Sequence, residues 1–97
     1  MKFGLSEKQI IEISKLLSNE GVSKAVIFGS RAKGNYRDNS DIDIAVWGEG
    51  LNISKISAEL DELSMPYKFD LVDYVKITKV ALLEHIDRVG EIFCEKI

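Results

Sequence analysis

Positive charge, cysteine, proline and long apolar runs are all scarce in this chain. Its 97 residues carry 13 Lys and Arg against 16 Asp and Glu, a formal net charge of -3. A nonspecific nucleic-acid binder needs the opposite balance, so DNA is not an expected partner. The one cysteine, Cys94, cannot close an internal disulfide, which points to a reducing compartment. The one proline, Pro66, and the lack of Ser-rich or repetitive stretches leave no linker. No apolar run exceeds four residues, the longest being Ala25-Val26-Ile27-Phe28, Ile44-Ala45-Val46-Trp47 and Val80-Ala81-Leu82-Leu83. Membrane spans and secretory signals need longer ones, so a cytoplasmic protein without a membrane partner is expected.

What is present is ordinary globular composition, 45% hydrophobic and 30% charged. The length suits one domain over residues 1–97 with no separate substrate lobe. An enzyme this small acting on a large substrate would borrow part of its site from another chain.

Ile10, Ile13, Leu16 and Leu17 share a helical face after Ser6, a suitable N-cap, and Asn19-Glu20-Gly21 ends that helix. Lys24 to Phe28 is a short β-branched run stopped by Gly29, a buried strand. Gly29 to Ser40 has loop and turn chemistry. Asp41 to Trp47 alternates as a second strand, with Ile42, Ile44 and Val46 on one face and Asp41, Asp43 and Ala45 on the other. A second helix follows at about Asn52 to Leu63, a strand at Tyr67 to Tyr74, and a third helix capped by Thr78 and stopped by Gly90. Glu91 to Ile97 completes the set as a short strand. This order predicts an α/β (α+β) fold: one mixed sheet of about four strands with helices packed against it.

The informative stretch is Gly29-Ser30-Arg31-Ala32-Lys33-Gly34, continuing to Asp41-Ile42-Asp43. Aspartates at i and i+2 on a strand project from one face with Cα atoms ~6.5–7 Å apart. Their carboxylates suit hard divalent cations, and a bridging pair suits two ions ~3.5–4 Å apart. Asp70 is the candidate third carboxylate. It sits mid-strand, opposite the face of Tyr67, Phe69 and Leu71, where propensity disfavours aspartate. Asp73 competes, but lies nearer the strand end and on the apolar face. Gly29-Ser30 after a buried strand allows a sharp turn and brings backbone N–H groups and a hydroxyl to a phosphate. Arg31, Lys33 and Arg37 add charge suited to a polyphosphate.

Alone, Asp41-x-Asp43 reads first as a solvated strand face, since such alternation is common; Gly29-Ser30 at the right distance and Asp70 turn the reading to a metal site. A P-loop is excluded, because Asn35 and Tyr36 follow Gly34 where Lys and Ser/Thr are required. An EF-hand is excluded because Asp41-x-Asp43 is followed by Ala45 and no loop glycine stands in place. His85 has no second His or Cys pair nearby and reads as a surface or boundary residue. Cys94 reads as a packed thiol, and Trp47 and Tyr74 as core or interface aromatics.

Gly29-Ser30, ten residues, then Asp41-x-Asp43 resembles the signature of the DNA polymerase β-like nucleotidyltransferases. The text GSRAKGNYRDNSDIDIAV is similar to their minimal members, the MNT-domain proteins. The resemblance implies the polymerase β-like nucleotidyltransferase fold and transfer of AMP from ATP to a hydroxyl with release of pyrophosphate. Asp41 and Asp43 would bind two Mg2+ ions, and Asp70 would complete the one nearer the acceptor and help deprotonate it. Gly29 and Ser30 would hold the triphosphate, with Arg31 and Lys33 as further phosphate contacts. It also implies a partner, a HEPN-domain RNase toxin whose tyrosine accepts AMP while this chain acts as antitoxin. The chain lacks the Arg-x4-His-x-Tyr pattern of that toxin. Two alternatives stay open: an antitoxin that works by binding alone, and a small-molecule, aminoglycoside-type nucleotidyltransferase subunit.

Overall fold

Helix α1 (Glu7–Asn19) opens on a closed capping box. The Ser6 hydroxyl accepts from the Gln9 N–H at 3.1 Å, and the Ser6 N–H donates to Gln9 Oε1 at 3.0 Å. The helix ends as a Schellman turn, with Gly21 at φ 90°. There the Val22 N–H reaches the Leu17 carbonyl and the Gly21 N–H that of Ser18. Strand β1 (Lys24–Phe28) follows, then a one-turn helix α2 (Gly29–Lys33) and strand β2 (Ile42–Trp47). Helix α3 (Ile53–Asp61) crosses over to strand β3 (Phe69–Asp73). A 3-10 turn at Tyr74–Lys76, helix α4 (Val80–Val89) and strand β4 (Glu91–Glu95) complete the chain. These elements come from a computed structural model that describes residues 2–95.

The sheet order is β3-β2-β1-β4. Strand β2 runs antiparallel to β1 and parallel to β3, and β4 runs antiparallel to β1 with a bulge between Ala25 and Val26. The mixed four-strand sheet of the sequence reading is therefore present. Its two faces are unequal. Ala25, Ile27, Ile42, Ile44, Val46, Phe69 and Leu71 meet Ile13, Leu17, Ile56 and Leu60 of α1 and α3 in the main core. On the other face Val26, Phe28 and Ala45 pack with Ile86 of α4 in a smaller cluster. Because α4 covers this second face, Ala45 is as buried as its neighbours on the main-core face. Among the described residues no helix is long and apolar enough to cross a membrane.

Four local expectations differ from the structure. The segment expected as loop from Gly29 begins with α2, a polar turn too short to show a helical period. Gly34 ends it at φ 84°, its N–H donating to the Ser30 carbonyl at 2.9 Å. Helix α3 ends at Asp61, two residues before Leu63. Thr78 does not cap α4: Lys79 holds that position without a side-chain bond, its carbonyl accepting from Leu82 and Leu83. Strand β3 starts at Phe69, where its pairing with Ile42, the first residue of β2, begins; Tyr67 lies before it with its ring against the Arg31 guanidinium. The last two residues of the expected final strand, Lys96 and Ile97, lie outside the described residues.

Candidate active site

Two chain reversals put the polar ends of three strands side by side. The antiparallel register of β1 and β2 sets Phe28 opposite Asp43, so Gly29 leaves β1 beside that aspartate. The parallel register of β2 and β3 sets Asp43 opposite Asp70. Directly paired residues point to the same face of a sheet, so Asp43 and Asp70 are neighbours across the strands. Asp41, two residues before Asp43, stands just ahead of β2. Asp41 and Asp70 are exposed and Asp43 is half-buried. Asp43 and Asp70 lie on the α4 face, at the end where α2 begins, with Asp41 close enough for its charge to act on Asp43.

Gly29 adopts φ 72°, a left-handed conformation that disfavours side chains. A Cβ there would also overlap a carboxylate oxygen of Asp43. The glycine is thus required twice over, by its dihedral and by the acid pressed against it. Asp43 feels its position electrostatically. Burial, then the charges of Asp70 and Asp41, push its pKa from the ordinary 3.8 up to about 6, with Arg31 pulling the other way. A desolvated carboxylate repelled by two others is a place where a cation is favourable, and all the donors are hard oxygens. Among the described residues no three His, Cys, Asp or Glu side chains are drawn together as a ready metal cage. The donor chemistry fits a divalent ion; the three side chains are adjacent rather than closed around a common point.

Residues 8–96 match the family Polymerase beta, Nucleotidyltransferase. The chain belongs to this family. This nucleotidyltransferase is 37% identical over 70 residues to a candidate protein adenylyltransferase of Methanocaldococcus jannaschii, a match covering 68% of this chain and 74% of that one. Its fold superposes on a crystal structure of a toxin–antitoxin with AMP-PNP at a TM-score of 0.76 and 26% identity, covering 90% of this chain and 73% of the other. A structure described as a candidate minimal nucleotidyltransferase matches at a TM-score of 0.73 and 23% identity, covering 94% and 95% of the two chains; that likeness is one of fold.

The remaining residues singled out from the sequence separate in the nucleotidyltransferase's structure. Ser30 lies half-buried in the first turn of α2, beside Gly29. Lys33, at the end of α2, is exposed, and so is Arg37 on the following loop, where its N–H donates to Ser40 Oγ at 2.8 Å. Arg31 is not among the exposed cations. It is 2% exposed, and its guanidinium donates to backbone carbonyls. Asp73 is buried on the α1/α3 face, its Oδ1 without a hydrogen-bond partner among the described residues, and takes no place beside Asp43. His85, read as a surface or boundary residue, packs edge-on against Phe28 with ring centroids 6.0 Å apart. Because Phe28 is the cross-strand partner of Asp43, the imidazole borders the site. No local signal could have placed it there, since the approach depends on how α4 lies across the sheet.

Proposed function

We propose that this nucleotidyltransferase transfers AMP from ATP to a protein hydroxyl, the acceptor being a tyrosine of a HEPN-type RNase toxin that it neutralises as antitoxin. The observation that carries the reading is the register that puts Asp43 against Asp70 with Gly29 directly beside them. Asp41 and Asp43 would hold two Mg2+ ions, with Asp70 completing the one nearer the acceptor. Bound there, the metal would neutralise triphosphate charge and make the acceptor hydroxyl more acidic.

The chain's own groups do the rest. Gly29 and Ser30 present backbone N–H groups and a hydroxyl to the triphosphate, and the free Lys33 ammonium faces its outer charge. A carboxylate oxygen of Asp70 takes the proton of the acceptor hydroxyl. The hydroxyl oxygen then bonds to the α-phosphorus as the bond from that phosphorus to the pyrophosphate oxygen breaks. The open carboxylate face suits a macromolecular acceptor brought by a partner. The similarity to a candidate protein adenylyltransferase supports the acceptor class, and the toxin–antitoxin relative with AMP-PNP supports the partner and nucleotide.

The test is co-expression with the candidate toxin and intact-mass measurement of both proteins, for wild type and for Asp41→Asn/Asp43→Asn. AMP-sized additions on the toxin, absent with the double variant, are expected. An unmodified toxin that is still bound and silenced would instead establish an antitoxin acting by binding alone.

A further inference from the structure

We propose that Arg31 is the positioning residue of this site, joining the backbone that precedes Asp41 to the segment that precedes Asp70 and so setting the spacing of the carboxylates. Its guanidinium is buried, and among the described residues each of its hydrogen bonds goes to a backbone carbonyl. Nη1 donates to Phe3 O at 2.9 Å, Nε and Nη2 to Ser40 O at 3.2 and 2.9 Å, and Nη2 also to Asp38 O at 3.4 Å. Its carbon lies 4.6 Å from the ring centroid of Tyr67 and 5.3 Å from that of Tyr36. Among the described residues it forms no ion pair with a carboxylate.

Ser40 is the residue before Asp41, and Tyr67 stands three residues before Asp70. The two approaches also touch directly, the Ile42 N–H donating to the Lys68 carbonyl at 2.8 Å. Arg31 therefore sits where the entry to β2 meets the entry to β3. It reaches both from α2, the same short helix that carries Gly29 and Ser30. The far side is closed by the Lys2–Leu5 bridge, where a Cβ on Gly4 would strike Arg31 Nη1 and the Tyr36 ring. Phe3 holds φ 58° there, a strained conformation for a bulky residue, while its carbonyl receives the guanidinium. A planar fork with five N–H donors can bind several carbonyls and two aromatic faces at once. Lysine, a point charge with a flexible stem, cannot reproduce that geometry.

The inference rests on the reading of Asp41, Asp43 and Asp70 as cation ligands. Its test measures Mn2+ affinity of the full chain by electron paramagnetic resonance, together with kcat and the KM for ATP in AMP transfer. The variants are Arg31→Lys and, as a fold control in the main core, Ile13→Val. All are compared at a temperature where circular dichroism shows each one folded. Arg31→Lys is expected to weaken Mn2+ binding about tenfold or more, as loss of a residue supporting metal ligands does. It should lower kcat by a similar factor and leave the KM for ATP nearly unchanged. Ile13→Val should keep wild-type values for all three. Wild-type Mn2+ affinity in Arg31→Lys, or a loss matched by Ile13→Val, overturns the proposal. Should Arg31→Lys fail to fold, Tyr67→Leu removes one ring from the guanidinium but none of its carbonyl bonds. It is then expected to weaken Mn2+ binding, and unchanged binding overturns the proposal. If wild type binds Mn2+ but modifies no toxin, the acceptor reading fails while the Mn2+ comparison still decides the role of Arg31. If wild type binds no Mn2+, both fail.

Discussion

Gly29 and the Asp43 carboxylate share their space so closely that one methyl group on the glycine would overlap an oxygen of the acid. That contact couples the turn expected to hold phosphate to the central carboxylate of the site. Gly29→Ala should therefore harm activity more than stability. The left-handed backbone alone costs an alanine roughly 1–2 kcal/mol. Moving Asp43 by about 1 Å is expected to lower the transfer rate on the order of a hundredfold. Thermal melts beside rate measurements check both, and an active Gly29→Ala would contradict the coupling.

Asp43 also predicts a pH dependence of stability. Its pKa is raised from 3.8 to about 6 by burial and by Asp70 and Asp41. Between those values the folded protein takes up a proton that the unfolded chain does not, so in metal-free buffer stability rises as pH falls through that window. Asp43→Asn should be more stable than wild type at neutral pH, with the gap closing as pH drops toward 3.8. The effect is smaller than the bare shift implies, because Asp43 is only half-buried and water screens it. Asp70→Asn removes the second-largest cause and should lower the Asp43 pKa, measurable by carboxyl carbon NMR. Divalent metal should act in the same direction and flatten the pH dependence.

The capping box of α1 gives a test confined to the fold. Ser6→Ala deletes the acceptor for the Gln9 N–H and is expected to cost about 1 kcal/mol. A lowered urea midpoint with an unchanged denaturant slope and unchanged Mn2+ affinity is the predicted result.

At the other end of the sheet Trp47 stacks on Tyr74, centroids 4.4 Å apart, and Tyr74 Oη donates to Asp87 Oδ1 at 2.8 Å. That hydrogen bond is the main cause raising the Tyr74 pKa above 10.0, with burial and the Asp87 charge adding to it. Asp87→Ala should return the phenol toward its ordinary range in an ultraviolet absorbance titration. Tyr74→Leu should shift the emission of the one tryptophan and lose roughly 0.5–1.5 kcal/mol beyond the area effect.

Much of this architecture could be read from residue periodicity. Ile42, Ile44 and Val46 alternate with Asp41, Asp43 and Ala45, and period two is enough to separate core from site face on β2. The same period turned Asp70 away from Phe69 and Leu71 and put Asp73 with them, as the structure has it. Helix α1 was legible because its cap, apolar stripe and terminal glycine are all local signals. Helix α2 was not, since five residues with one apolar member, Ala32, carry no period and its geometry depends on what Arg31 finds at distance.

The sequence alone determined which residues could face one another, because the side-chain direction of a strand or helix residue depends only on its near neighbours. It also carried the Gly29-Ser30 and Asp41-x-Asp43 spacing on which the resemblance to the nucleotidyltransferases rests. Only the tertiary structure decided which of those faces meet. The parallel register of β2 with β3, reached through the α3 crossover, brings Asp70 against Asp43 across 26 intervening residues. Likewise a cation in a polar loop is expected in water, yet Arg31 turns inward. It does so because Phe3, Asp38 and Ser40 offer carbonyls, and Tyr36 and Tyr67 offer rings, that converge on it only once the chain has folded.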